Sequence, residues 1–146
     1  MKMSALKVGA LLGAAALAGC GSDTTAPDPL VGNYIASQFM TTGTSGQTNQ
    51  LLIGSTLNIT LKSDGTTSGH LHFAASGSQP VFDADMAGTW SREGNTVEFD
   101  QTADSFVRDM PFTVTASADA THWELVGDRT FSGTRIQLTL TPGGQI

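Results

Sequence analysis

The feature that most constrains the fold is an alternation of apolar and polar side chains, which recurs in short runs between residues 56 and 141. In the run 56–62, for example, Leu57, Ile59 and Leu61 alternate with polar residues. Because successive side chains of a strand point to opposite faces, such runs indicate strands with one buried face. Gly, Asp, Asn and Ser separate the runs, as in tight turns between antiparallel strands. The alternation therefore predicts an all-β domain.

Two hairpins are predicted from the turn residues between these runs. Asp64-Gly65 is one turn, and Arg92–Asn95 is the other. Within each strand, the residues on the apolar face are expected to point inward. The four strands are 56–62, 67–74, 81–90 and 96–100, and their inward residues are Leu57, Ile59, Leu61, Leu71, Phe73, Phe82, Ala84, Met86, Gly88, Trp90, Val97 and Phe99.

Four further segments complete the pattern, of which residues 30–39 and 104–115 are less regular and residues 135–141 have a regular period of two. Residues 30–39 are predicted to form the first strand, with Tyr34 and Phe39 as its anchors. In the segment 104–115, proline cannot donate to a ladder, so this part is expected to lie at an edge or to bend at Pro111. A single helical turn from Asp104 is the alternative there. The last two strands are 122–127, with Trp123 and Leu125 inward, and 135–141, with Ile136, Leu138 and Leu140 inward.

About eight strands are thus expected within residues 30–146, which form one domain. A meander of that many strands closes into a barrel or folds into two packed sheets. Closure removes the exposed edges that otherwise invite aggregation. We therefore predict a small antiparallel up-and-down β-barrel, with a two-sheet β-sandwich as the alternative.

The N-terminus has the layout of an export signal. Lys2 and Lys7 precede or flank an apolar run from Val8 to Ala18, which is too short to span a bilayer. Leu17-Ala18-Gly19-Cys20 then resembles the lipobox of bacterial lipoproteins. That resemblance implies cleavage between Gly19 and Cys20, and a diacylglyceryl group on the Cys20 thiol. A palmitate-type acyl chain on the new amino terminus is implied as well, so residues 1–19 are a signal peptide.

Residues 20–29 follow as the lipidated cysteine and a flexible tether, because GSDTTAPDP lacks the apolar residues needed to fold. Two or more acyl chains are needed for stable anchoring. The residue after Cys20 is Gly21 rather than Asp. In lipoproteins an Asp there retains the protein in the inner membrane, so the resemblance implies the outer membrane. No cofactor is expected besides the covalent lipid.

The charge of the chain excludes one class of partner. Removing residues 1–19 takes away Lys2 and Lys7, which leaves 5 basic and 13 acidic residues, a formal charge of −8. Nucleic acids attract basic surfaces, so no nucleic-acid partner is expected. Anionic lipid is not attracted either. The membrane contact is therefore expected through the acyl chains alone.

The domain also resembles the lipocalin-like domains of small bacterial lipoproteins. The resemblance is carried by Leu30–Tyr34 at the domain start, by the hairpin at Asp64-Gly65, and by Gly88-Thr89-Trp90. In that family a Gly-x-aromatic motif opens the first strand and its ring plugs the closed end of the barrel, although the usual aromatic is Trp and here it is Tyr34. The resemblance implies a small apolar or amphipathic ligand inside the barrel.

The expected ligand site has walls and a lid. The aromatic residues Tyr34, Phe73, Phe82, Trp90, Phe99 and Trp123 would line the cavity. Residues 40–55 form a long connection, and in lipocalins the corresponding loop covers the open mouth. Leu51, Leu52 and Ile53 would give this lid an apolar inner side. The alternatives are that the aromatic residues fill the core and that residues 51–53 form an extra short strand.

Other chemistry is not favoured by the sequence. His70 and His72 lie on the same face of one strand and could chelate Zn²⁺ or Cu²⁺, with His122, Asp83 or Asp85 as a third ligand. Such pairs are more often ordinary polar surface, so no metal site is predicted. Nucleophile and phosphate-loop motifs are missing from residues 20–146, so no enzyme is expected. The two remaining hypotheses are a ligand-binding lipoprotein and a non-enzymatic envelope structural or interaction module with a filled core.

Overall fold

The computed structural model describes residues 26–76 and 79–143. The predicted signal peptide, Cys20 and most of the tether lie outside these residues. Among the described residues, no helix has the length and apolarity needed to cross a membrane. The strands are β1 Gly32–Gly43, β2 Gly46–Asn49, β3 Thr56–Leu61, β4 Thr66–Phe73, β5 Phe82–Asp85, β6 Gly88–Glu93, β7 Thr96–Gln101, β8 Phe112–Ala116, β9 Trp123–Phe131 and β10 Thr134–Pro142, with a 3-10 helix, η1, at Leu51–Ile53.

Eight of the strands form a closed antiparallel barrel. In chain order, β1, β3, β4, β6, β7, β8, β9 and β10 each pair with the next, and β10 pairs with β1 to complete the circuit. The remaining two strands lie off this circuit, β2 beside β1 and β5 beside β4. The prediction of an up-and-down barrel of about eight strands is confirmed, and the sandwich alternative is not.

Both predicted hairpins are confirmed. At the β3–β4 turn, Asp64 Oδ1 accepts hydrogen bonds from the Thr66 backbone N–H at 2.9 Å and the Thr66 hydroxyl at 2.6 Å. These bonds hold the pKa of Asp64 below its usual value. Gly65 has a φ of 81°, a conformation that glycine adopts without steric cost. Local turn chemistry therefore fixes the register of this hairpin.

A bulge in β1 places both of its predicted anchors inside. Tyr34 and Phe39 are buried, although residues five apart on a regular strand point to opposite faces. The pairing of β1 with β10 shifts between Ala36 and Gln38, so one residue is inserted without a partner. Such an insertion changes the facing of all following side chains. The bulge therefore allows one strand to contribute core residues at both ends of the barrel.

The segment 81–90, predicted as one strand, is two. The lower half of β4, at Thr66 and Thr67, pairs with β6, whereas its upper half, residues 70–73, pairs with β5. Gly69 lies at the change of partner with a φ of 143°, and a Cβ there would come within 2.2 Å of the Asn58 carbonyl oxygen. The prediction of one strand over residues 81–90 is wrong, because β4 changes its partner at Gly69 and only β6 continues the barrel circuit.

The segment 104–115 agrees with the predicted helical turn but differs from the predicted edge position. Three hydrogen bonds between residues i and i+3 form turns over residues 105–110, in line with the predicted helical turn. Pro111 precedes β8, and β8 pairs with β7 on one side and β9 on the other. The predicted edge position is therefore wrong. Proline is tolerated because it stands just outside the ladder.

Candidate functional site

The interior of the barrel is filled by side chains from every strand of the circuit. Phe39, Phe112, Ile59, Leu71 and Leu138 are among the largest side chains that are fully buried. The Phe99 and Phe112 rings meet edge to face, with their centroids 5.3 Å apart. An eight-stranded barrel has an interior just wide enough for packed side chains or one small ligand. In this structure side chains occupy that space.

One end of the barrel is closed by residues 28–31, which we call the strap. The strap crosses from the start of β1 to the end of β6, where Asp28 Oδ1 accepts a hydrogen bond from Arg92 Nη1 at 3.0 Å. The same oxygen accepts the Leu30 backbone N–H at 2.9 Å. These bonds hold Leu30, which is fully buried, across the opening. Asp28 therefore belongs to the barrel, although the sequence placed it in the tether.

Tyr34 lies beside the strap and is also buried. Burial is the main cause that raises its pKa above 10.0, the negative charge of Asp28 raises it further, and Arg92 acts in the opposite sense. Trp90 is half-buried at the same end, where its indole Nε1 donates to the Lys62 carbonyl oxygen at 2.9 Å. Tyr34 is thus buried at the strap end of the barrel, and the plugging role that the lipocalin resemblance implies for it stays a prediction.

The opposite end is closed by residues 102–111, which we call the cap segment. Val107 and Met110 of this segment are fully buried, and Phe106 packs against the core. The Phe106 ring lies 5.7 Å from Phe39, and Phe39 lies 5.7 Å from Phe73. Phe131 continues this aromatic cluster at 6.5 Å from Phe106. The cluster fills the end at which the sequence predicted an open mouth.

The cap segment needs a glycine on β9. A Cβ on Gly127 would stand 2.2 Å from Met110 Sδ and 2.9 Å from the Phe112 ring. Gly127 therefore leaves the space that Met110 occupies. The spacing of Phe106, Val107 and Met110 is the signal by which the sequence could have revealed this closure, because it puts apolar side chains on one side of a helical turn.

The predicted lid has a different structure from a long loop. Residues 40–43 continue β1, and residues 46–49 form β2, so much of the connection is a hairpin. An extra short strand therefore exists, but Leu51–Ile53 form η1 instead. Leu51 packs against the core, whereas Leu52 is 83% exposed and Ile53 is 42% exposed. A lid function for these residues stays a prediction.

The six predicted ligand-binding aromatic residues do not surround one space. Phe82 is opposite Phe73 in the β4–β5 ladder and shares its face, but it is 41% exposed because β5 lies off the barrel circuit. Trp123 begins β9 at the strap end and is 44% exposed, while Leu125 on the same face is fully buried. The prediction that these two rings are buried inside is wrong, since Phe82 is on a strand outside the circuit and Trp123 lies where β9 extends beyond its pairing with β10.

A cleft opens on the outer wall, where β8 is too short to cover the upper half of β7. It measures 370 Å³, and the buried side chains Phe99 and Met110 contribute to its lining. Arg108 Nη2 lies 3.0 Å from Asp104 Oδ1, and Arg129 Nη1 donates to the Asp109 carbonyl oxygen. The remaining lining residues are Thr89, Ser91, Glu98, Asp100, Asp109, Pro111 and both arginines.

A second polar cluster lies on the outer face of β4 and β5. Asp83 Oδ1 is 3.0 Å from His70 Nε2 and 2.8 Å from His72 Nδ1. Asp85 Oδ1 is 3.7 Å from His70 Nδ1. The bond to His72, and next the bond to His70, lowers the pKa of Asp83. The structure thus brings both candidate carboxylates, Asp83 and Asp85, to the predicted histidine pair. His122 is not part of this cluster, because it lies next to β9 and pairs there with Glu124 at 3.6 Å.

Two polar atoms of the barrel interior have no hydrogen-bond partner among the described residues. They are Gln101 Oε1 and Ser105 Oγ, at the cap-segment end. The amide of Gln101 still donates to Thr67 Oγ1 at 3.1 Å, and that hydroxyl donates to the Met86 carbonyl oxygen at 2.7 Å. The other buried polar residues, Gln50, Ser55 and Ser117, have hydrogen-bonded side chains.

No protein-family model, curated protein or solved structure matches this chain. The choice among the barrel interior, the wall cleft and the histidine cluster therefore depends on the geometry of this chain.

Proposed function

We propose that this chain is the precursor of an outer-membrane lipoprotein whose barrel acts through its outer surface, as a structural or interaction module of the cell envelope. Anchoring is supported by the lipobox-like Leu17–Cys20 and by the tether that precedes the strap. The single observation that carries the mode of action is the filled interior, closed by Leu30 at one end and by the aromatic cluster at the other.

The anchoring half of this proposal is tested by Cys20→Ser in the intact precursor. The variant should lose its acyl chains by mass spectrometry and leave the membrane fraction, because no other nucleophilic thiol is present in the chain. Ser22→Ala, two residues further on, is the matched control and should be processed normally. A Cys20→Ser protein that remains in the membrane fraction would contradict the proposal.

The filled-interior half is tested with a fluorescent fatty acid and residues 26–146. The described hydrophobic core lies between Leu30 and Leu140, so this piece retains it. No saturable increase in fluorescence is expected, since admission of an acyl chain would require the cap segment to leave the barrel. Saturable, competitor-sensitive uptake would instead favour the ligand inside the barrel that the lipocalin resemblance implies.

A second candidate function is favoured by the wall cleft. Its size falls within the range of small-molecule sites, and it combines an apolar base at Phe99 and Met110 with the guanidinium groups of Arg108 and Arg129. The carboxylates of Glu98, Asp100 and Asp109 line the same cleft, so it suits a small ligand that carries both an anionic group for the arginines and hydrogen-bond donors for the carboxylates. If an acyl probe binds, Arg129→Gln should weaken binding in the cleft and leave binding inside the barrel unchanged.

A further inference from the structure

We propose that His70, His72 and Asp83, with Asp85 nearby, form a surface site for one divalent transition-metal ion of the zinc and copper class. This inference is independent of the proposed function, because it concerns the outer face of β4 and β5 alone. In the ladder between these strands, His70 is opposite Asp85 and His72 is opposite Asp83. Directly paired residues of an antiparallel ladder share a face, so all four side chains lie together.

Both histidine nitrogens already contact the same carboxylate oxygen. Asp83 Oδ1 lies 3.0 Å from His70 Nε2 and 2.8 Å from His72 Nδ1. Ligand bonds of about 2.0–2.2 Å at tetrahedral angles separate neighbouring ligand atoms by about 3.3–3.5 Å. Each of these two nitrogen–oxygen distances therefore needs to lengthen by only a few tenths of an ångström to admit an ion between the two atoms.

In the metal-free arrangement the histidines bind the carboxylate rather than surround a common point. As they are placed here, no group of three or more His, Cys, Asp or Glu residues in the described parts of the chain could hold a metal ion, so these side chains must rotate to form the site. The side chains of His70, His72 and Asp83 are 47%, 36% and 50% exposed, so small rotations meet little steric resistance. An incoming ion would replace the two shared hydrogen bonds, and the ring proton that forms each bond would move to the other nitrogen of a neutral imidazole or, from an imidazolium, to solvent.

Charge at this face favours a cation. Asp83 and Asp85 have only histidines as ion-pair partners among the described residues, whereas Asp28, Asp104 and Asp128 are paired with arginines. On the neighbouring strand β3, the residues opposite His72 and His70 are uncharged Thr56 and Asn58.

The ligand set selects the class of ion. Imidazole suits Zn²⁺, Cu²⁺ and Ni²⁺, whereas Ca²⁺ and Mg²⁺ require mainly oxygen ligands. Two imidazoles and one or two carboxylates leave room for water at the exposed side of the ion. Binding would also join β5 to β4 through side chains, beyond the four residue pairs of their short ladder.

The test is calorimetric titration of the untagged full-length protein, in non-ionic detergent, with Zn²⁺ and separately with Ca²⁺. One Zn²⁺ per chain is expected, with no saturable binding of Ca²⁺. Since loss of a group that only orients a ligand costs about 10–100-fold in affinity, loss of a ligand in His72→Gln or Asp83→Asn should cost at least about 100-fold. His122→Gln is the matched control, because His122 has one carboxylate partner at 3.6 Å, and it should bind as the parent does.

A second measurement keeps the proposal testable if a variant folds poorly. The chain contains three histidines, so their imidazole NMR signals can be assigned individually in the parent protein. Zn²⁺ should shift the signals of His70 and His72 and leave that of His122 in place, and the shift should diminish at low pH as protons compete. Absence of saturable binding, equal binding by Asp83→Asn, or an equal shift of His122 would each overturn the proposal.

Discussion

The two ends of this barrel are closed in different ways. At one end the strap, residues 28–31, inserts a single aliphatic side chain, Leu30, and is held by the ion pair between Asp28 and Arg92. At the other end the cap segment, residues 102–111, adds Phe106, Val107 and Met110 to an aromatic cluster. The first closure depends on one side chain and its polar support, whereas the second distributes apolar contacts over several elements. We therefore expect substitutions at the cap-segment end to cost more stability.

Phe39→Ala should have the largest effect. The Phe39 side chain is fully buried and contacts both Phe73 and Phe106, so its removal leaves a cavity that links β1, β4 and the cap segment. A loss of about 3–5 kcal/mol in the free energy of unfolding is expected from denaturant titration. A loss below about 1 kcal/mol would mean that the aromatic cluster does not close this end.

Leu30→Ala tests the strap end. Leu30 is fully buried, but it belongs to a segment near the start of the domain that can detach without opening a strand pair. A loss of about 2–3 kcal/mol is expected, at the lower end of the range for Leu→Ala. Equal losses in the free energy of unfolding for Leu30→Ala and Phe39→Ala would contradict the expected difference in stability between the two closures.

Gly127→Ala probes the cap segment without removing any contact. The new methyl group would overlap Met110 Sδ, so either Met110 or the backbone of the segment must move. We expect a loss of about 1–3 kcal/mol, typical of overpacking, and faster amide hydrogen exchange in residues 102–111. In the double variant Gly127→Ala, Met110→Ala only the 2.9 Å approach to the Phe112 ring remains, so the added methyl group should accelerate exchange less than it does when Met110 is present.

Asp28→Asn should change stability by about 1 kcal/mol or less, because the ion pair with Arg92 lies near the surface. Its clearer effect is on Tyr34, the only tyrosine of the chain. Since the folded pKa of Tyr34 is raised, the stabilisation of its neutral form is full below about pH 10 and is lost as pH rises through the folded pKa.

Absorbance titration of tyrosinate measures this pKa directly. Asp28→Asn should lower the pKa of Tyr34, because it removes a negative charge, while burial keeps the pKa above 10.0. Arg92→Gln should raise it, because it removes the opposing positive charge. Identical titration curves for the two variants would show that the strap does not lie beside Tyr34.

Trp123→Ala should have the smallest effect. The indole is 44% exposed at the start of β9, so a change within about 0.5 kcal/mol is expected from denaturant titration. Acrylamide should quench Trp123 more than Trp90, as tested with the two single-tryptophan variants. A large loss of stability would instead indicate that Trp123 is buried inside the barrel, as the sequence predicted.

The sequence was sufficient for the barrel because the period of two and the turn residues are local signals. Leu57, Ile59 and Leu61 face inward as predicted, and Asp64-Gly65 forms the predicted turn. The bend at Gly69, which separates β5 from β6, was missed because it depends on how close Asn58 approaches from another strand. Similarly, alternation gave the correct face for Phe82 and Trp123. It could not show that β5 lies outside the circuit or that β9 extends beyond its pairing with β10.

The candidate sites were less accessible to prediction. The pair His70 and His72 was visible from spacing alone, and its carboxylates were among those considered, but their contacts required the register of β4 with β5. The wall cleft had no signal in the sequence, because it arises where β8 begins only at Phe112 and leaves β7 uncovered. Sites formed between strands thus depend on pairing that alternation does not encode.

Side chains fill the barrel interior and leave no cavity for an apolar ligand. Methyl NMR spectra recorded under xenon test this directly. Xenon enters apolar cavities that water leaves empty. In the natural protein, the methyl signals of buried residues such as Ile59, Leu71 and Leu138 should stay in place under xenon. In Phe112→Ala, which has a cavity at the centre of the barrel, the same signals should shift. Saturable shifts of these signals in the natural protein would contradict a filled interior and would indicate a cavity open to an apolar ligand.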